Sequence, residues 1–273
     1  MRRNKNMALR SICLLSLISI LTLLMIGAVP ASPAAIGCSW QYTFGDDFNG
    51  TTLDTTKWNT QYPSGNGGEL QYYAPDAFEL KDGILRIKAE PRQMKGYDYT
   101  SGIITSIDSF NQQYGYFKMR AKAPKGKGFW PGFWLLPATP HYPWEVDVFE
   151  IHGDHPNIAY MTNHWQDATE GHLAVTNSFT GSDFSEDFHV FALEWDPTAL
   201  VWSVDNVERY RTTKGVPNEP LFVLANLAVG GHWSGDPDQS TPFPSYLEID
   251  YIQVYTRACQ TNLFPQHDWG GPG

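Results

Sequence analysis

Apolar and polar residues alternate along most of the chain after residue 37. Gly83–Ala89 reads Gly-Ile-Leu-Arg-Ile-Lys-Ala, and the same period of two returns over 115–123, 190–195, 200–204 and 246–255. That period belongs to a strand with one buried face. In the last run Leu247, Ile249 and Ile252 supply core positions. Asp205-Asn206 separates two such runs and suits a tight hairpin, because both residues tolerate positive φ. No dozen residues keep a 3.6 period with caps. Short strands broken by Gly, Pro, Asn and Asp predict an all-β, antiparallel sandwich.

The N-terminus follows a different pattern. Arg2, Arg3, Lys5 and Arg10 precede an apolar run from Ile12 to Ala28, with small residues at Ala31–Ala35. This is the layout of a secretory signal over residues 1–37, an uncleaved membrane anchor being the alternative. Its removal leaves 15 basic against 29 acidic residues, a net charge of −14. Such a surface repels nucleic acid and anionic membrane and favours a neutral polymer over an acidic one. Cys13 departs with the leader. Cys38 and Cys259 remain at the two ends of the folded region, 38–259, where one disulfide is expected. The competing reading makes Cys38 a lipidated first residue after the weak lipobox Ala35-Ile36-Gly37. Residues 260–273 read as a short tail. A secreted monomer is expected.

The candidate chemistry lies in Trp144-Glu145-Val146-Asp147-Val148-Phe149-Glu150-Ile151, where three acids interrupt an apolar strand. Unpaired charge is expensive to bury, so such a run serves a cleft, an acidic strand edge or a calcium site. Glu145 and Asp147 share a face. Glu150 joins them only if one extra residue is inserted at Val148-Phe149. A bulge there would bring the two Glu side chains within reach of each other, as a pair of glycosidase carboxylates requires.

At this point the sequence resembles glycoside hydrolase family 16, the laminarinases and lichenases, in its bulged Glu-x-Asp-x-x-Glu form. Asn66–Tyr73, Lys125–Pro137 and Leu224–Trp233 resemble the family's cleft-forming segments in the same order. The resemblance implies a concanavalin A-like jelly roll of two curved antiparallel sheets with an open concave cleft. It implies a retaining endo-glycosidase for β-1,3 or mixed β-1,3-1,4 glucan, with Glu145 as nucleophile, Glu150 as acid/base and Asp147 tuning both. An exopolysaccharide depolymerase, a transglycosylase or a non-catalytic lectin could share the fold. Ser101-Gly102-Ile103 lacks the Arg many laminarinases carry there, and Asp108-Ser109-Phe110 together with Trp144–Gly153 leans toward the bacterial branch that cuts exopolysaccharides and mixed-linkage glucans.

Sugars stack on aromatic rings and bond through their hydroxyls. Trp130 and Trp134 fall on one strand face with Gly132 leaving room between them, and His164 lies on the expected neighbouring strand. Asn66, Glu69, Asn226 and Trp233 enter as substrate contacts through the resembling segments. No histidine spacing argues for a catalytic metal. The resemblance allows one structural calcium at Asp47, Gly83 and Asp250. Glu248-Ile249-Asp250 imitates half of the catalytic pattern, and the resemblance places it on the far side of the sandwich.

Overall fold

Two sheets account for the strands of the computed structural model, which describes residues 36–63, 67–138 and 144–261. The leader and the tail from 262 onward lie outside these residues, as does Asn66. The smaller sheet runs β11 (Gly171–Thr180), β10 (Ile158–Asp167), β9 (Trp144–Ile151), β8 (Phe129–Pro137), β15 (Leu221–Val229) and β6 (Ile103–Thr105). The larger runs β14 (Val207–Thr212), β13 (Leu200–Val204), β12 (His189–Trp195), β7 (Gly115–Lys122), β16 (Ser245–Thr261), β4 (Ile84–Met94), β5 (Tyr97–Ser101) and β2 (Gln71–Tyr73). To it β1 (Ile36–Asp46) adds on β16 and β3 (Phe78–Lys81) on β4. The alternating runs become β4, β7, β12, β13 and β16, and no helix occurs among the described residues. Asp205 and Asn206 take φ of 52° and 63° in the β13–β14 turn.

One pairing departs from the antiparallel expectation: β2 runs parallel to β5. A parallel pair needs a crossover rather than a hairpin, and β3 and β4 supply it between the two short strands.

Between the sheets, Phe117, Met119, Ile252 and Val254 of the larger sheet face Phe133, Val146, Ala225 and Leu227 of the smaller, all essentially inaccessible. Leu247, Ile249 and Ile252 are in this core as expected. Cys38 and Cys259 are joined in a disulfide, so β1 and the end of β16 are tied across 221 residues of sequence. A thiol in this bond is not free for a lipid, which removes the lipidated reading. The strands belong to one compact unit, Ile36–Gln260.

The feature that positions the acids is a bulge in β9. Opposite β8, Trp134 pairs with Asp147 and Phe133 with Phe149, leaving Val148 as the extra residue. Opposite β10, the register likewise shifts between Tyr160, which faces Glu150, and Thr162, which faces Asp147. Val148 and Phe149 both point into the core, each 1% exposed. Burying such side chains contributes about 1.5–3 kcal/mol each, so sliding β9 into a regular register would forfeit core packing. A bulge also frees a backbone group from the ladder. Here the Asp147 carbonyl accepts a hydrogen bond from Trp202 Nε1 at 2.8 Å, reaching across the core from β13.

Trp202→Phe keeps a ring in place but strips the buried Asp147 carbonyl of that donor. We expect a loss of about 1–3 kcal/mol, read as a lower midpoint in urea unfolding with unchanged slope.

Candidate active site

The bulge brings Glu145, Asp147 and Glu150 to one face of β9, and all three line a cavity of about 440 Å³. This volume lies in the range of ordinary ligand clefts, about 300–1,000 Å³. Facing strands supply the remaining walls: Trp130 and Trp134 from β8, Asn226 from β15, and Glu69 and Tyr62 from the preceding loops.

Each acid meets different surroundings. Asp147 is 2% exposed. Burial, then the charge of Glu145 and a hydrogen bond with it, drives its carboxyl well above the usual carboxylate range. These surroundings favour the protonated form of Asp147, whose carboxyl then donates to Glu145. Glu150 is also pushed well above that range, first by burial and then by the charges of Asp147 and Glu145. Opposing this, Trp130 Nε1 donates to Glu150 Oε1 at 2.9 Å, and His164 favours its charged form. His164 Nε2 stands 3.3 Å from Asp147 Oδ2 and 4.0 Å from Glu145 Oε1.

Trp130 thus has a role that its spacing did not reveal: its indole N–H holds Glu150, while its ring meets Trp233 edge-on at 5.2 Å. Trp134 lines the cavity and donates to Asn226 Oδ1 at 2.9 Å, and Asn226 Nδ2 donates to the Tyr73 hydroxyl. Gly132 packs beneath this pair: a Cβ there would approach Asn226 Oδ1 to 3.2 Å and the Trp134 ring to 3.5 Å. Trp233 is 43% exposed and packs against His152 and Tyr160, extending the aromatic wall past the cavity. His164 borders the carboxylates from β10 rather than lining the cavity. Asn66 lies outside the described residues.

Sequence reasoning missed Tyr62, Tyr73 and Trp202. Tyr62 is pushed up to about 12 by burial and by Glu145 and Glu69, so its phenol keeps its proton. Tyr73 stood within the resembling run Asn66–Tyr73 and could have been singled out there. Nothing local marks Trp202, because its partner lies 55 residues away.

On the larger sheet Glu248 pairs with Arg86 and Lys122, and Asp250 with Arg120, far from the cavity's strands. The imitation of the catalytic pattern is thus a set of ion pairs on the other sheet, with Glu248 largely buried. The calcium expectation meets the same arrangement. Asp250 is neutralised by Arg120, Asp47 Oδ1 accepts from Gln253, and Gly83 lies against Asn49. Arg120 and Gln253 thus engage one side-chain oxygen each of Asp250 and Asp47, two of the donors that calcium would use.

A family model described as "Glycosyl hydrolases family 16" matches residues 48–253. An endo-1,3-1,4-beta-glycanase, EglC, of Rhizobium meliloti (strain 1021) is 35% identical over 242 residues, 78% of this chain and 51% of the relative. This chain thus spans about half the length of that relative. A beta-glucanase of Rhodothermus marinus is 33% identical over 254 residues, 79% of this chain and 85% of the relative. Among solved structures, the laminarinase catalytic domain from Thermotoga maritima MSB8 superposes with a TM-score of 0.71 at 33% identity, over 80% of this chain and 98% of that one. The chain belongs to glycosyl hydrolase family 16.

Proposed function

We propose that this protein is a secreted, retaining endo-β-glucanase that cuts β-1,3 or mixed β-1,3-1,4 glucan. The observation that carries the reading is the bulged strand, which gathers Glu145, Asp147 and Glu150 on one cavity and places Glu150 where burial and neighbouring charge raise its carboxyl. The name of the Rhodothermus relative supports the glucan substrate, and that of the Rhizobium relative supports an endo cut at 1,3-1,4-β linkages. The N-terminal charge and hydropathy layout and the Cys38–Cys259 disulfide support secretion.

In this mechanism the Glu145 carboxylate attacks the anomeric carbon while Glu150 gives its proton to the departing glycosidic oxygen. A covalent glycosyl–Glu145 ester results. Glu150, now ionised, takes a proton from water, whose oxygen displaces Glu145 and restores the original configuration. The proton of Asp147 holds Glu145 in place and limits the repulsion among three acids. Tyr62, Trp130 and Trp134 offer apolar faces to sugar rings, with Asn226 and Glu69 beside them.

Two measurements test this reading, and a third tests the calcium expectation. Reducing-end release from laminarin and lichenan should fall on the order of 10³-fold in Glu145→Gln; a variant as active as wild type would remove Glu145 from the reaction. Analysis of the products by mass also separates hydrolysis from transfer to a second glucan.

The second concerns stability. Glu150 has a raised carboxyl in the folded state, so its contribution is fully present below the ordinary carboxylate range and lost as pH rises through the raised value. Glu150→Gln should therefore raise the Tm more at pH 8 than at pH 4, by about 2–4 °C for each kcal/mol relieved. An equal shift at both values would contradict the protonated assignment.

The third concerns calcium, which has no part in the reaction proposed. With Asp250 held by Arg120, the Tm is expected to be the same in calcium and in EDTA; a calcium-dependent rise would show that the ion displaces Arg120.

A further inference from the structure

Asp147 Oδ2 is buried and has no partner that meets hydrogen-bond geometry. Leaving a buried acceptor unserved is costly, and the donor in position to serve it is His164 Nε2 at 3.3 Å. A neutral imidazole has one N–H. If that hydrogen is on Nε2, then Nδ1 is an acceptor and needs a donor of its own. His172 provides one: its Nε2 lies 3.1 Å from His164 Nδ1, with the two rings stacked at 5.2 Å and 17°.

The sheet register explains how the rings meet. On β11 the residue opposite His164 is Ala174, while His172 lies opposite Gln166. His172 is therefore the diagonal neighbour of His164, within reach of a long side chain. β11 is the edge strand, and His172 is exposed there. The charged and titratable groups around His164 are Glu145 and Asp147 from β9, Glu150 through its field, and His172 from β11. In the adjoining turn Asp167 Oδ1 is already taken by Thr169 and Glu170.

We propose that His172 is a positioning residue for the catalytic carboxylates: its Nε2–H fixes His164 in the tautomer that presents Nε2–H to Asp147. The hydrogen bonds then run in one direction, from His172 to His164, from His164 to Asp147 and from Asp147 to Glu145. Asp147, with its second oxygen served, keeps its own proton directed at Glu145. The donor chain begins at the solvent-exposed edge of the sheet, although His172 itself touches neither sugar nor reacting atoms. The inference rests on the hydrolase reading for its kinetic consequence, though not for the tautomer.

The test compares wild type, His172→Ala and His172→Gln. On laminarin or lichenan, His172→Ala should lose about tenfold in kcat with KM within about twofold, the size expected for one hydrogen bond to an ionisable group. His172→Gln, whose side-chain amide can donate to the same nitrogen, should recover most of that loss. Long-range ¹H–¹⁵N NMR of the imidazoles should show His164 protonated on Nε2 in wild type and in His172→Gln, and a mixture of tautomers in His172→Ala. A rise in KM with kcat intact would mean that His172 contacts the sugar and would overturn the proposal. So would a His164 tautomer that is the same in all three proteins. If the wild type cuts neither glucan, the hydrolase reading fails, and the NMR comparison still decides the proposal by itself.

Discussion

The site depends on one backbone constraint, the extra residue at Val148 and the bond from Trp202 Nε1 to the Asp147 carbonyl that accommodates it. A strand alternates its side chains, so an acid at 145 and one at 150 belong on opposite faces unless the register slips between them. The core enforces the slip. Val148 and Phe149 are adjacent in sequence and both buried, which a regular strand does not permit when one face opens on a cleft. The hydrophobic energy of two side chains, together with a carbonyl satisfied from the opposite sheet, fixes where a carboxylate stands.

That placement works against stability. Three acids share a space in which two are driven toward their neutral forms by burial and mutual repulsion. The hydrogen bond from Trp130 and the proximity of His164 offset part of this by favouring the charged form of Glu150. The disulfide and the continuous core between the sheets supply stability elsewhere. Function and stability pull in opposite directions here, as they do wherever catalysis needs perturbed acids.

Much of this was legible in the sequence because it was local. Period-two patterning marked β4, β7, β12, β13 and β16, and Asp205-Asn206 marked a turn by residue type alone. The need for a bulge followed from counting faces between Glu145 and Glu150. The parallel β2–β5 pair escaped because three-residue strands carry no periodic signal and their pairing depends on a crossover. The roles of Trp202 and His172 escaped for a related reason: each is defined by a partner on another strand, 55 and 8 residues away. The spacing of Trp130 placed it on the cleft face, but only three-dimensional register showed that its N–H meets Glu150. Glu248 and Asp250 show the converse, where a familiar spacing lies on the wrong sheet and its charges are consumed by Arg86, Lys122 and Arg120.

The cleft is divided by β9 into unlike halves. On the β8–β15 side, Trp130, Trp134 and Asn226, joined by Tyr62 from a preceding loop, line the cavity with ring faces and an amide. On the β10–β11 side, the facing row is polar: Thr162 shares a hydrogen bond with Thr176, and His164 with His172. Sugar rings gain most from the first environment, where stacking and exclusion of water act together. Protons are managed best in the second, where a chain of donors connects buried carboxylates to the surface. Glu145 and Glu150 stand at the boundary and draw on both, since Trp130 reaches Glu150 from one side and His164 approaches Asp147 and Glu145 from the other. In the proposed mechanism, a single strand with one extra residue thus stands between the residues that hold the polymer and those that orient the carboxylates.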